Sequence, residues 1–302
     1  MKLFLKKILG IFFSIIIIAF ITDTLINLFF RNYHQRSKPD VKNQNVNIVF
    51  FGSSRCVHHI IPSLYDSLNS TKSFNMGWAA SDPREIYAAV KLYLHFNKPP
   101  QKIILQLDLE AENTGTDALA TQSLIKHFNQ NLIDDYFTSE QNFNYKIPLY
   151  ACANYRDYSW REILKTIFRN KPQTIDQGYI PNKREFQTKN LKDIPTNVPL
   201  KFLAKKNIWV IKTIDLCKKN GIGVTLFTAP YYQIGFSERF NKFSQYNCPY
   251  FNLSKTMTDS RYFSDNSHLN NLGATLFTQI LSDSLRLGQS FPNNVKTNLR
   301  FK

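Results

Sequence analysis

The chain has 302 residues, 43% of them hydrophobic and 14% aromatic, and a formal net charge of +16. That composition excludes a disordered polymer and is enough for one large domain with a full core. The basic balance would suit nucleic acid, but an export signal at the N-terminus sets that partner aside and leaves an anionic membrane surface or anionic envelope polymers.

The export signal comes first in chain order. Lys2, Lys6 and Lys7 precede an apolar run over 8–21, which 25–30 continues after Asp23. Residues 8–30 are long enough to cross a bilayer core of roughly 30 Å. The preceding lysines favour a cytoplasmic N-terminus, although Arg31, Arg36 and Lys38 reduce the asymmetry. With no small-x-small cleavage site, an uncleaved signal anchor is expected. The chain is then a single-pass protein of the cytoplasmic (inner) membrane, with its C-terminal domain on the extracytoplasmic, periplasmic side. Residues 1–30 form the stub and anchor, and the polar stretch 31–45 a tether.

From residue 46 onward strand and helix signals alternate, which predicts an α/β domain over 46–287 with a mainly parallel sheet. Strands are expected at 46–51, 74–77 and 102–109. Between the last two, Ile86, Val90 and Leu94 stand at helical spacing, with Asp82 as cap and Pro83 in the first turn of a helix over 83–97. Residues 117–169 read as helical pieces, at 119–132 and around 158–168. Over 165–206, Pro172, Pro181, Pro195 and Pro199 break any long element, and ten Lys or Arg face three acids. This stretch is either a basic lid over the ligand-binding edge or a solvated excursion. A helix over 202–219 closed by Gly221, a strand at 223–228, a short helix at 237–244, a strand at 250–253 and a closing helix at 272–287 follow. A polar basic tail runs from 288. Cys56, Cys152, Cys217 and Cys248 have neither close pairing nor metal-ligand spacing. Cys56, although near Ser54, is read as packing.

The chemistry lies at two points. After the first strand comes Gly52-Ser53-Ser54-Arg55, where a serine on a sharp strand-to-helix turn can attack a carbonyl carbon and nearby backbone N–H groups can face the developing oxyanion. Before the closing helix comes Asp265-Asn266-Ser267-His268, where the aspartate can hold the imidazole in the tautomer that accepts the serine proton. Between them Asn75-Met76-Gly77 ends the second strand, and a glycine there lets a backbone N–H approach substrate. Arg55 either holds a substrate carboxylate or phosphate or pairs with Asp82, Asp108 or Glu110. Tyr231 and Tyr232, at the same sheet edge, either stack on a sugar ring or pack.

The order Gly52-Ser53-Ser54, Asn75-Met76-Gly77 and Asp265-Asn266-Ser267-His268-Leu269-Asn270 resembles the SGNH/GDSL hydrolase superfamily over residues 46–286. The resemblance implies a flavodoxin-like three-layer α/β/α sandwich. It makes Ser54 the nucleophile, His268 and Asp265 the rest of the triad, and the backbone of Ser54 and Gly77 the oxyanion hole. Ser53 stands where many members have aspartate. The family's third motif, Gly-x-Asn-Asp, is missing after the third strand. Asn113 is a displaced substitute for its asparagine, and Glu110, nearer the usual place, cannot donate when ionised. A slower or specialised acyl transfer is therefore expected. The anchor adds a likeness to envelope acyl-transfer proteins, namely the D-alanyl transfer protein of teichoic acid modification and the alginate and peptidoglycan O-acetyltransferases. That likeness implies an envelope glycan or acylated polymer as substrate and a multi-spanning membrane acyltransferase as partner. The expected activity is acyl transfer or ester hydrolysis through an acyl-enzyme, with no metal or organic cofactor. The alternative is a non-catalytic protein of this fold that binds or assembles envelope polysaccharide.

Overall fold

The computed structural model describes residues 2–32, 45–112, 124, 176–186, 206–235 and 237–290. The predicted helical pieces at 119–132 and 158–168, Asn113, most of the basic stretch and the tail beyond 290 lie outside these. The chain divides into two compact units, residues 1–36 with 121–172 and residues 37–120 with 173–302. In the first unit the described element is helix α1 (Lys2–Asn32). Its Phe4–Leu25 span has a mean hydropathy of 2.4 and is long and apolar enough to cross a membrane. Large apolar side chains from Phe4 to Leu25 are exposed around it, as on a helix whose solvent is not water.

The second unit is a sheet between two helical layers. Its strands are β1 (Ile48–Phe51), β2 (Ser73–Asn75), β3 (Lys102–Gln106), β4 (Gly223–Thr228) and β5 (Tyr250–Asn252). All pair in parallel in the order β2-β1-β3-β4-β5. This is the doubly wound, flavodoxin-like order, and its switch point, where ligands bind in such folds, falls between β1 and β3. Near-continuous apolar strands suit a parallel sheet covered on both faces.

Alternate residues face opposite layers. Phe50, Ile104, Phe227 and Phe251 share a core with Phe277, Leu281 and Leu285 of helix α6 (Asn271–Ser290). The same layer holds α2 (Ser54–His59) and α3 (Pro62–Asn69), with Phe50 packed edge-on against Tyr65. On the other face Phe51 meets Tyr93 of α4 (Pro83–Phe96), and α4 packs against α5 (Ile208–Lys219). The expected cap on α4 is present: the Asp82 side chain accepts the Arg84 N–H, and Glu85 returns to the Asp82 N–H.

Several boundaries differ from the sequence reading for local reasons. The second strand ends at Asn75, although the Met76 and Trp78 N–H groups still donate to the Phe50 and Gly52 carbonyls. The third ends at Gln106, and a 3₁₀ turn follows over Leu109–Glu112. Helix α5 starts at Ile208, where the Asn207 side chain accepts the Trp209 N–H. The segment predicted as a short helix after β4 is a 3₁₀ helix, Ser237–Tyr246. Helix α6 continues to Ser290, three residues into the predicted tail.

Candidate active site

Ser54 is the first residue of α2, directly beyond the carboxyl end of β1 and at the switch point. Ser53 caps the helix: its hydroxyl accepts the Arg55 N–H, and its carbonyl accepts the N–H groups of Cys56 and Val57. Gln106, at the end of the neighbouring β3, takes the Ser53 N–H at 2.8 Å and the Ser53 hydroxyl at 3.1 Å. A Cβ on Gly52 would lie 2.5 Å from that Gln106 oxygen. Glycine is therefore needed at 52 for the close approach of β3, and not for an unusual backbone angle.

The histidine comes from the loop before α6. Phe263 and Leu269 close this loop as an antiparallel bridge, and Ser264 N–H donates to the His268 carbonyl at 2.8 Å. Asp265 Oδ1 accepts the backbone N–H groups of Ser267 and His268, each at 2.8 Å, which folds the loop around the carboxylate. His268 Nδ1 stands 3.0 Å from Asp265 Oδ2, and Nε2 stands 2.8 Å from Ser54 Oγ. Ser54, Asp265 and His268, 214 residues apart at the extremes, thus form one hydrogen-bonded chain, each half-exposed. Burial works against the charge of Asp265. The hydrogen bond and charge of His268 and the two backbone N–H donors outweigh it and hold the carboxyl well below the usual range. An ionised Asp265 accepts a hydrogen bond from Nδ1–H, so Nε2 presents its lone pair to the Ser54 hydroxyl.

Two neighbouring histidines escaped the sequence reading. His58 lies one turn beyond Ser54 on the same half-exposed side of α2, with Nδ1 2.7 Å from the Ile180 carbonyl and its ring edge-on to His268. His59 is wholly buried, and its Nε2 accepts the Leu269 N–H at 3.0 Å. Burial pushes the pKa of both down; for His59 the nearby charges of Arg55 and His268 add to the effect. A histidine pair in a six-residue helix has no periodicity to betray its role.

The other expected site residues are placed as follows. Arg55 points inward and is 2% exposed. Its guanidinium pairs with Asp108 at 2.6 Å, donates to the carbonyls of Ala229, Pro230 and Ser267, and lies 3.5 Å over the Tyr231 ring. Of the two roles open to Arg55, the geometry matches pairing with Asp108, and the substrate-binding role is corrected. Tyr231 is buried between Arg55 and Phe240, so it is not a sugar platform. Tyr232 is half-exposed and packs against Phe186 and Phe263. Cys56 is buried, makes a hydrogen bond to Asn75, and has its thiol pKa pushed far up by burial, in keeping with packing. The Gly77 N–H, expected to face substrate, donates instead to Asn75 Oδ1 at 2.9 Å. The absent Cβ at 77 makes room for the backbone of α2, since it would lie 2.7 Å from Val57 N. The Ser54 N–H makes no hydrogen bond among the described residues.

Within the basic stretch, residues 176–186 are packed across the flank of the site. Asn75 N–H donates to Gln177 O, Ile180 N–H to Val57 O, and the Asn182 side chain to Ser264 Oγ and Leu269 O. Beyond them lies an open cleft of about 560 Å³, lined in part by Lys183, Arg184, Arg261 and Asn271.

No family model matches this chain, and no curated protein matches it. Among solved structures, one described provisionally as a platelet activating factor from Streptococcus pneumonia aligns at 12% identity with a TM-score of 0.40. That alignment covers 91% of this chain and 99% of the other. Another, described provisionally as an acylhydrolase from Bacteroides fragilis, aligns at 12% identity with a TM-score of 0.38, covering 85% of this chain and 97% of the other.

Proposed function

We propose that this chain is a membrane-anchored SGNH-type serine enzyme that transfers or hydrolyses an ester-linked acyl group, O-acetyl or similar, on a cell-envelope glycan. The observation that carries the proposal is the continuous chain Ser54 Oγ–His268 Nε2 at 2.8 Å and His268 Nδ1–Asp265 at 3.0 Å.

In this reading Ser54 Oγ attacks the acyl carbonyl carbon while its proton passes to His268 Nε2. Asp265 stabilises the imidazolium that results. The carbonyl π electrons move onto oxygen, where the Ser54 N–H meets them at the start of α2. The tetrahedral intermediate collapses, the ester C–O bond breaks, and His268 returns its proton to the departing alkoxide. An acyl group now sits on Ser54. A sugar hydroxyl or a water gives its proton to His268 Nε2 as it attacks the acyl carbon, the Ser54 Oγ–acyl bond breaks, and His268 returns the proton to Ser54 Oγ.

Helix α1 would hold the domain at the membrane, with the domain on the extracytoplasmic side, where a multi-spanning acyltransferase could supply the acyl group. Lys183 and Arg184 at the cleft beside the triad loop fit an anionic polymer, with Glu185 sharing the lining and Arg261 paired with Asp259. The alternative is a non-catalytic binding protein of the same fold, and it draws on the engaged Gly77 N–H, which leaves the oxyanion fewer donors.

The two readings separate in one experiment. The full-length chain in detergent is mixed with p-nitrophenyl acetate, quenched with acid and digested. The enzyme reading expects a p-nitrophenolate burst and an acetyl group on the Ser54 peptide, both absent in Ser54→Ala. A folded chain with neither belongs to the binding reading.

A further inference from the structure

We infer that Arg55 and His59 are positioning residues that clamp the backbone on either side of His268 to the helix that carries Ser54. The inference rests on reading Ser54 and His268 as nucleophile and base.

Helix α2 is six residues long and makes three separate hydrogen bonds with the histidine loop among the described residues. Ser54 Oγ meets the His268 ring at 2.8 Å. Arg55 Nε donates to the carbonyl of Ser267, the residue before His268, at 3.0 Å. His59 Nε2 accepts the N–H of Leu269, the residue after it, at 3.0 Å. Arg55 and His59 are four residues apart, so their side chains leave one face of the helix one turn apart. Both are buried, whereas Ser54 and His58, also four apart, occupy the half-exposed side. One face of α2 therefore holds the loop and the other presents the nucleophile.

The clamp is itself rigid. Asp108, the carbonyls of Ala229 and Pro230, and the ring of Tyr231 fix the guanidinium, so it cannot swing away from Ser267. His59 packs edge-on against Phe277 and is enclosed. Because its Nε2 accepts a hydrogen bond, its proton must sit on Nδ1, which has no partner among the described residues. A buried donor left unmatched is unfavourable, so the ring is held there by what Nε2 does. With both neighbours tied down, His268 keeps only its own side-chain torsions, and Asp265 restrains those. A displacement of about 1 Å at a catalytic group can lower a rate about 100-fold.

The test compares His59→Gln, His59→Asn and His59→Leu in the full-length chain in detergent. Glutamine carries its amide oxygen near the place of Nε2 and asparagine near that of Nδ1, so only glutamine can still accept from Leu269. Three quantities are read: the fluorophosphonate labelling rate at Ser54, the thermal unfolding midpoint, and the low-field proton resonance of His268 Nδ1–H. Asparagine and leucine should slow labelling about 10- to 100-fold and weaken the low-field resonance, while glutamine recovers most of both. Arg55→Lys should slow labelling similarly, since an ammonium cannot span Asp108 and Ser267 together. Should leucine prevent folding, the comparison of the two amides decides alone. Equal rates and an unmoved resonance in asparagine and glutamine would overturn the inference. If the parent chain takes no label at all, the catalytic reading fails. The resonance then still reports the clamp, being kept in glutamine and lost in asparagine if it exists.

Discussion

Each residue of the proposed triad has one task set by its partners, and Asp265 shows this most sharply. Its Oδ1 accepts two backbone N–H groups, and the carboxylate also accepts the Nδ1 proton of His268. In Asp265→Asn the amide oxygen stays with the backbone donors and the NH₂ turns to His268. That locks the proton on Nε2, where it cannot take another from Ser54. Labelling of Ser54 by a fluorophosphonate should fall roughly 10²- to 10⁴-fold with the fold intact; an unchanged rate would mean that Asp265 does not set the tautomer. Sequence reading named Ser54, His268 and Asp265 from their types and order, and the structure brings the three into one hydrogen-bonded chain. It did not settle Arg55, because a charged residue in a short polar turn is ordinarily solvated, and only the arrangement of Asp108 and three carbonyls makes burial tolerable. It also misjudged the reason for Gly77, which clears space for a helix invisible to periodicity.

At the scale of elements, the site is a junction of α2 with the loop before α6, and small residues allow the two to close. Gly273, in the first turn of α6, is one of them: a Cβ there would lie 2.0 Å from the Tyr262 carbonyl oxygen, at the root of the histidine loop. Neither partner can yield without moving backbone. Gly273→Ala should therefore lower stability by roughly 1–3 kcal/mol and slow Ser54 labelling at least tenfold. Denaturant unfolding and labelling of the same sample check this, and a variant with parental stability and rate would show that the loop root is not tight. The strands and α4 were legible in the sequence, through apolar runs, helical spacing and the Asp82 cap before Pro83. Helix α2 was signalled only by the strand-to-helix turn at Ser54 and α3 not at all, since six and eight residues are too few for a 3.6-residue pattern to emerge.

The whole molecule should carry the imprint of its buried histidines in how stability depends on pH. His59 and His58 have pKa values lowered by burial, so below about pH 6.5 the unfolded chain takes protons that the folded chain refuses. Their contribution is intact above that pH and is lost progressively as pH falls toward the folded values. Asp265 acts lower down: its depressed pKa contributes stability above the ordinary carboxylate range near 4, which is lost on further acidification. From these three groups unfolding free energy should decline from about pH 6.5 and again below about pH 4, and above about pH 8.5 the buried thiols, whose pKa burial raises, should lower it as well. His59→Gln should flatten the first decline and leave the second, as measured by denaturant titration across pH. An unaltered first decline would contradict the placement of His59 as a buried neutral acceptor. On this scale the parallel sheet could be read from the sequence, because strands covered on both faces are continuously apolar. The strand order could not, since nothing local tells β3 to lie beside β1 instead of β2.

The central claim is that Ser54 is an activated nucleophile and that His268 activates it. The most direct measurement is fluorophosphonate labelling of the full-length chain in detergent, with peptide mapping, for the parent, Ser54→Ala and His268→Ala. The account predicts one labelled peptide, containing Ser54, lost in Ser54→Ala and slowed by several orders of magnitude in His268→Ala. A label elsewhere, or one at Ser54 that does not depend on His268, would contradict it.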